Sequence, residues 1–246
     1  MVERMRKPGW EAHMAGVITV PMFSHGVSGV YHYFGTRTEP KPTPSRMGRP
    51  PMQVVTMKQV HGTEVLIIGG REMGEGDGHD AVVTNRPGLL LAVRSADCVP
   101  ILLMDTARPV VAAVHAGWRG TLGNIVTKTV MAMRTRFACS LRTIRAAVGP
   151  SIGACCYEVD EAVLAPLKRA CPDWQEVVER AKGSRAYLDL RRLNRRQLEE
   201  AGLDPARIET VNLCTACHPE LFYSYRRDGK ATDHMTSGIG LTAVRG

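Results

Sequence analysis

Apolar residues along the chain gather into short runs separated by polar, glycine-rich or proline-rich positions, a pattern typical of a sheet-rich protein. The most strongly apolar region spans residues 80–120 and is interrupted by two polar clusters, Ser95–Cys98 and His115–Gly120. It predicts buried strands at 81–84, 89–94, 99–104 and 110–114. Further strands are predicted at 17–20, 30–34, 52–60, 64–68, 143–148, 208–213, 222–226 and 238–244.

Three segments have the apolar spacing of amphipathic helices. The first runs from Gly123 or Asn124 to about Phe137, the second follows Asp160 as N-cap, and the third spans 188–201. Because strands outnumber helices and often follow one another directly, the pattern favours a mixed-sheet α+β fold over a doubly wound one. Neither a repeat nor a linker divides the chain, so we expect an N-terminal extension over residues 1–16 and one domain over 17–246.

The composition is that of an ordinary globular protein of 246 residues, with 44% hydrophobic and 23% charged residues. No apolar run reaches the roughly 20 residues of a membrane span, and no apolar segment follows the basic N-terminus as in a secretory signal. We therefore expect a cytoplasmic location, where the seven cysteines are reduced. The net charge of +8 suits nucleic acid or an anionic substrate. Since the basic residues are scattered, we expect a solvated basic surface, including the four arginines of the 188–201 helix.

Three residues able to bind a metal or attack a substrate each lie at the end of a predicted strand: His61, Cys98 and His115. They can converge if adjacent strands end at the same edge of a sheet. One cysteine and two histidines form a zinc ligand set with a fourth position open, as in catalytic sites. Zinc lowers the pKa of water to about 7, and Asp97 or Glu158 could orient that water or shuttle protons.

The same residues allow a different chemistry. Cys98 could be a thiolate nucleophile with His115 or His61 as its base. A single buried cysteine or histidine is also often an ordinary core residue. Residue type and spacing alone leave these alternatives open.

Two further cysteine motifs are present, and neither is expected to bind a cofactor. Cys214–His218 spells C-x-x-C-H, the haem attachment pattern, but haem attachment requires export and the sequence carries no export signal. A zinc or redox role for Cys214 and Cys217 is the minor alternative. Cys155 and Cys156 are adjacent, which strains a disulfide, so they are expected to form a packed turn.

Five stretches of the chain form a recognisable set: KQVHG at 58–62, ADCVP at 96–100, HAGWRG at 115–120, GPSIG at 149–153 with CYEV at 156–159, and SYRRDG at 224–229. Together they resemble the YfiH family, also called polyphenol oxidoreductase laccase and peptidoglycan editing factor. ADCVP followed by HAGWRG is highly specific, and the match runs from about residue 30 to 229. The resemblance implies a single-domain α+β sandwich of mixed β-sheet flanked by helices, with zinc bound by His61, Cys98 and His115.

The activity implied by the resemblance is purine nucleoside chemistry. It comprises phosphorolysis of adenosine, inosine, guanosine and methylthioadenosine, together with hydrolytic deamination of adenosine. The expected partners are purine nucleosides and phosphate, without a membrane or nucleic acid. Arg37, Arg119 and Arg226 are phosphate candidates because guanidinium binds phosphate in bidentate fashion. Arg37 is the strongest, since Phe34–Arg37 matches the family's F-S-T-R apart from Gly35.

The chain departs from the family at Ala231–Met235, where the arginine of T-G-R-M is missing. His234 is a candidate local substitute, and the alternative is an ordinary surface histidine. Copper is not expected despite the laccase name, because a multicopper oxidase needs many histidines and this chain has eight with no H-x-H pair. Two other hypotheses remain: a cysteine-type hydrolase or amidase that edits peptidoglycan precursors, and a non-catalytic basic nucleic-acid binder.

Overall fold

The computed structural model describes residues 11–12, 16–24, 29–45, 50–69, 77–182 and 185–242. The strands are β1 (Glu11–Ala12), β2 (Val17–Thr19), β3 (Val30–Gly35), β4 (Gln53–Val55), β5 (Val65–Ile68), β6 (Ala81–Thr84), β7 (Leu89–Ser95), β8 (Val99–Asp105), β9 (Val111–Ala116), β10 (Ile144–Val148), β11 (Glu158–Val159), β12 (Val178–Lys182), β13 (Arg185–Leu188), β14 (Ile208–Thr210) and β15 (Met235–Leu241). The helices are α1 (Pro21–Ser24), α2 (Trp118–Leu122), α3 (Ile125–Phe137), α4 (Glu161–Ala170), α5 (Leu190–Glu200) and α6 (Tyr225–Asp228).

Within the described residues these strands form three sheets. The first has the order β1-β2-β3-β15-β7-β4, the second β14-β10-β8-β9-β6-β5, and the third β11-β13-β12. The first two are mixed, because β4–β7, β10–β14 and β5–β6 pair in parallel while their other pairs are antiparallel. The predicted mixed α+β fold is confirmed.

The second sheet is the middle layer, buried on both faces. Along β8, Ile101 and Leu103 belong to a core shared with α3 and α5, whereas Leu102 and Met104 belong to the core against the first sheet. Every residue of β8 and β9 is buried. This two-sided burial explains why these strands are continuously apolar rather than alternating.

The register of the second sheet brings three chemically important positions to one edge. β8 and β9 form an antiparallel hairpin in which the first residue of β8 pairs with the last residue of β9. Cys98, just before β8, therefore lies near His115. On the other side of β9, the first residue of β6 pairs with Val114, which places Asp80 beside His115. The loop before β5 reaches the same edge with His61, because β5 runs parallel to β6.

The strand predicted at 222–226 is wrong. Phe222 is buried in a turn, and Tyr225–Asp228 is helical. The Ser224 hydroxyl accepts a hydrogen bond from the Arg227 N–H at 3.3 Å, which caps this helix. The strand predicted at 52–60 shortens to β4, because the chain leaves the sheet after Val55.

The three longer helices are predicted, whereas the short helices α1 and α2 and the strands β11, β12 and β13 are not. α4 begins after Asp160 as expected, and the Asp160 carboxylate accepts the Ala162 N–H at 3.1 Å. The 188–201 helix is α5, but its arginines are not simply a solvated face. Arg195 donates to the Ile208 carbonyl at 2.7 Å, and Arg196 pairs with Asp173 at 2.8 Å.

The predictions for the chain ends are tested only in part. Glu11–Ala12, within the predicted extension, forms β1 and pairs with β2. Residues 1–10, 13–15 and the predicted strand end at 243–244 lie outside the described residues. In the part of the chain that the structure describes, every helix is too short or too polar to span a bilayer.

Candidate functional site

His61, Cys98 and His115 meet at the edge described above. His61 Nε2 lies 3.8 Å from Cys98 Sγ, and one ligand atom from each of the three residues lies within 4.8 Å of the others. Zinc bonds of about 2.0–2.1 Å to nitrogen and about 2.3 Å to sulfur hold tetrahedral donors roughly 3.3–3.8 Å apart. The donor set therefore fits one zinc ion after small side-chain movements.

Asp80 connects the two histidines and was missed by sequence reasoning. It is fully buried, and its Oδ1 lies 2.7 Å from His115 Nδ1. The same carboxylate accepts the backbone N–H groups of Val60, His61 and Gly62 at 3.0, 3.0 and 2.8 Å. It thereby leaves His115 Nε2 as the ring nitrogen available to a metal, as carboxylates behind metal-binding histidines commonly do.

The backbone around the three donors is unusually constrained. His61 has a φ of 59° and Asp97 a φ of 92°, values that non-glycine residues seldom adopt. A Cβ atom at Gly117 would lie 2.8 Å from His61 Cδ2 and 3.2 Å from Cys98 Sγ. Glycine at this position of the HAGWRG segment therefore leaves room for both donor side chains.

The electrostatics of the group favour a cysteine thiolate. Burial raises the pKa of Cys98, but hydrogen bonds and charge from His115 and His61 outweigh burial and lower it to about 6. Burial lowers the pKa of His115, yet Asp80 and Cys98 raise it to about 9. Burial also raises the pKa of Asp80, but its hydrogen bonds bring it below the usual value. The thiolate is the form of cysteine that binds metals or attacks an electrophile.

A cleft of about 610 Å³ opens over the three donors, a volume typical of small-molecule sites. Its walls combine cationic and aromatic side chains, namely Arg94, Arg119, Arg226, Trp118, Tyr157 and Tyr225. Arg94, which lies in β7, is a cleft residue that sequence reasoning missed. Arg94 lies outside the five family-like stretches, so no motif in the sequence marks it.

Two of the three predicted arginines line the cleft. The Arg119 guanidinium lies 4.4 Å from the Trp118 ring centroid, and that of Arg226 lies 5.2 Å from the Tyr157 ring centroid. Arg37 is not among the lining residues. Its guanidinium donates to the Pro219 carbonyl at 3.0 Å instead.

The two predicted acid–base carboxylates have structural partners. Asp97 lines the cleft, but it accepts hydrogen bonds from the Thr215 hydroxyl and the Arg226 backbone N–H, each at 2.6 Å. Glu158 is outside the lining, and its carboxylate accepts from Arg185 at 3.0 Å and Tyr187 at 3.1 Å.

His234, which occupies the segment where the family arginine is expected, lines the cleft as an exposed side chain. Partial burial and the charge of Arg94 lower its pKa. A neutral imidazole there can donate and accept hydrogen bonds, which an arginine cannot do.

Comparison with known proteins places this site in a family. The model of multi-copper polyphenol oxidoreductase laccase matches residues 41–242. The chain belongs to this laccase-named family. Purine nucleoside phosphorylase YlmD of Geobacillus stearothermophilus is 37% identical over 195 residues, covering 76% of this chain and 71% of that protein. Adenosine deaminase RL5, from an unknown prokaryotic organism, is 36% identical over 195 residues, covering 76% and 74% respectively.

A solved member of the laccase-named family has the same fold. The crystal structure of Bacillus licheniformis hypothetical protein YfiH superposes with a TM-score of 0.85 at 27% identity, covering 95% of this chain and 99% of that one. The resemblance to the YfiH family is thereby confirmed.

Proposed function

We propose that this protein is a zinc-dependent purine nucleoside phosphorylase acting on adenosine, inosine, guanosine and methylthioadenosine, and that it also deaminates adenosine. Residues 17–246 would form its catalytic domain. The observation that carries the proposal is the presence, in one cleft, of a His–Cys–His donor set beside three arginines and three aromatic rings. The names of the phosphorylase and deaminase relatives support the same chemistry.

His61, Cys98 and His115 would hold the metal. One thiolate and two imidazole nitrogens suit zinc and leave a fourth position open to substrate or water. When bound, zinc would act as a Lewis acid and lower the pKa of water. A multicopper centre needs further histidines, but within the described residues this is the one potential metal group that contains histidine.

Phosphorolysis breaks the bond between ribose C1′ and purine N9 and forms a bond from C1′ to a phosphate oxygen. In this cleft Arg94, Arg119 and Arg226 would bind the phosphate through charge-assisted hydrogen bonds. Trp118, Tyr157 and Tyr225 offer faces on which the purine could stack. These residues would hold the phosphate and the sugar close together, which lowers the entropic cost of the reaction.

Deamination replaces the amino group on C6 of adenine by oxygen from water and releases ammonia. It uses the same purine but no phosphate. The donor group would therefore serve both reactions, whereas the arginines would serve phosphorolysis alone. Asp80 would act as a positioning residue in both, since it orients His115 and anchors the backbone of His61.

The test is to incubate the purified protein with adenosine, with and without phosphate, and to separate the products. We expect adenine and ribose 1-phosphate only when phosphate is present, and inosine in both cases. Cys98→Ala should lose the zinc ion of the cleft and both activities, whereas Cys139→Ala, a buried cysteine outside the donor group, should keep them. Full activity in metal-free Cys98→Ala protein would overturn the proposal. Covalent trapping of an acyl group on Cys98 after zinc removal would instead support a cysteine-type hydrolase.

A further inference from the structure

A cluster of four thiols, separate from the His–Cys–His group, lies beside the segment that precedes Cys98. The four sulfur atoms, all within 4.8 Å of one another, belong to Cys155, Cys156, Cys214 and Cys217. Cys217 Sγ lies 3.4 Å from the sulfur of Cys155 and 3.3 Å from that of Cys156. The Gly153 N–H donates to Cys214 Sγ at 3.2 Å.

We propose that these four cysteines bind a single zinc ion at a structural site separate from the cleft. Four thiolates around one ion form one of the standard closed structural zinc sites. With bonds of about 2.3 Å, tetrahedral zinc holds its sulfur ligands roughly 3.8 Å apart. The separations of 3.3 and 3.4 Å are slightly shorter than this, and no pair of the four sulfurs is more than 4.8 Å apart. A four-iron cluster places each cysteine on a different iron and spreads the sulfurs much further.

Half of the ligand set has a spacing known from zinc sites. Cys214 and Cys217 form C-x-x-C, which lets two sulfurs from one turn reach the same ion. The other half is a tight turn in which the Cys156 and Tyr157 N–H groups donate to the Gly153 carbonyl at 3.0 and 2.9 Å. The expected packed turn is therefore present, and it presents two thiols to the C-x-x-C segment.

Backbone pairing holds the two segments together. Ser151 and Cys214 form an isolated parallel bridge, in which the Thr215 N–H donates to the Ser151 carbonyl at 3.1 Å. A Cβ atom on Gly153 would lie 2.8 Å from Arg191 Nη2 and 3.2 Å from Cys155 Sγ. Gly153 is therefore closely packed between Arg191 and the cluster, while Cys155 and Cys217 lie on the exposed side of the cluster.

The surroundings can balance the charge of such a site. Four thiolates and one Zn²⁺ carry a net charge of −2. Arg191 donates to the Leu213 carbonyl at 3.0 Å, and Arg227 donates to the carbonyls of Thr215 and Ala216 at 3.1 and 3.3 Å. Two guanidinium groups therefore flank the loop that carries Cys214 and Cys217. Arg227 also pairs with Asp228 through two contacts of 2.7 Å, so Arg191 would contribute more to stabilising the anionic centre.

Both cysteine segments also contact the residue before Cys98. The Thr215 hydroxyl donates to the Asp97 carboxylate at 2.6 Å, and the Ile152 N–H donates to the Asp97 carbonyl at 3.0 Å. Asp97 has a positive φ, so neighbouring structure must hold it in place. Zinc at the four cysteines would fix Ile152 and Thr215 together and so stabilise the backbone that presents Cys98.

The test is zinc content, measured by elemental analysis on protein purified without oxygen from zinc-replete cells. We expect two zinc ions per wild-type chain and one in Cys98→Ala, which leaves the four-cysteine cluster intact. Cys217→Ser should also retain one zinc ion, and the double variant of Cys98→Ala with Cys217→Ser should retain none. Cys171→Ala, which lies outside both groups, should retain two zinc ions. Circular dichroism establishes that each variant is folded. Cobalt loaded into Cys98→Ala should give the intense thiolate-to-cobalt absorption of a tetrahedral sulfur site.

Zinc-free, folded Cys98→Ala protein would overturn the structural site, whatever happens to Cys217→Ser. Iron found at the four cysteines in place of zinc would overturn the proposal that the metal is zinc. A disulfide from Cys217 to Cys155 or Cys156, found by mass spectrometry in the anaerobic protein, would overturn metal binding. If the wild type and Cys98→Ala both hold one zinc, the structural site stands and the proposed zinc in the cleft fails, so the two proposals are tested separately.

Discussion

Asp80 Oδ1 lies 2.7 Å from His115 Nδ1, and the same oxygen accepts the His61 backbone N–H at 3.0 Å. One buried carboxylate atom therefore sets both the ring orientation of one candidate ligand and the backbone position of another. His61 lies in the loop before β5 and His115 lies near the end of β9, so the carboxylate also joins two segments of the chain.

Replacing this carboxylate by an amide should weaken metal binding. Asp80→Asn keeps the shape of the side chain but removes the charge that orients His115. Losing such a carboxylate commonly costs about 10–100-fold in metal affinity or activity. Competition with a zinc chelator and the turnover of adenosine would measure the loss. The exposed Asp77→Asn is the matched control, and equal zinc affinity in both variants would contradict the role given to Asp80.

A methyl group at position 117 should disturb the donors directly. In Gly117→Ala the new Cβ would lie 2.8 Å from His61 Cδ2, so the imidazole must shift. A displacement of about 1 Å near reacting groups can cost about 100-fold in rate. The rate of adenosine turnover and the zinc content should both fall, while the circular dichroism spectrum stays that of the folded wild type. Gly69→Ala, whose Cβ would meet only Phe137 atoms at 3.5 Å and beyond, should behave as wild type.

Removing a cleft arginine should separate the two proposed reactions. Arg119→Ala should raise the KM for phosphate about 10–100-fold, since a hydrogen bond to a charged group contributes about 1.5–3 kcal/mol. Deamination in phosphate-free buffer should keep its rate. Arg37→Ala is the control, because Arg37 is outside the lining of the cleft. A rise in phosphate KM for Arg37→Ala but not for Arg119→Ala would reverse this assignment.

Metal exchange should distinguish zinc from copper. Dialysis against a strong chelator should abolish both nucleoside reactions, and added zinc should restore them. Copper(II) prefers tetragonal nitrogen and oxygen sites, so we expect copper to restore neither reaction. Oxygen consumption by the copper-loaded protein in the presence of a phenol would be measured in parallel, as an assay for oxidase activity. Rapid phenol oxidation by the copper-loaded protein would favour the chemistry in the family's name over the proposed one.

The strands that carry the site could be predicted because their burial is visible in their composition. β8 and β9 are apolar on both faces, so Cys98 and His115 stand out as polar residues at their ends. His61 is a candidate by its residue type and its place after a predicted strand, but the choice of zinc over a cysteine nucleophile, and the function, depend on the resemblance to a known family. Spacing alone could not show that these side chains meet, because that depends on strand order.

The residues that escaped prediction act through contacts between distant segments. Asp80 is one of 24 acidic residues, and only the pairing of β6 with β9 sets it beside His115. Arg37 matches a family motif but faces Pro219 rather than the cleft. The Ser224 segment has a strand-like pattern, yet the cap formed by its hydroxyl makes it helical. The two cysteine pairs were each recognised, but their convergence across about 60 residues was not.

The position of β15 has a consequence for how the protein is made. β15 lies between β3 and β7 in the first sheet, although it begins only at Met235. Until the ribosome has released this segment, β3 and β7 both present unpaired edges, which are prone to association with other chains. The nascent polypeptide therefore depends on one late strand to close its first sheet. A premature stop before Met235 would release a chain with the metal donors but with the centre of that sheet missing.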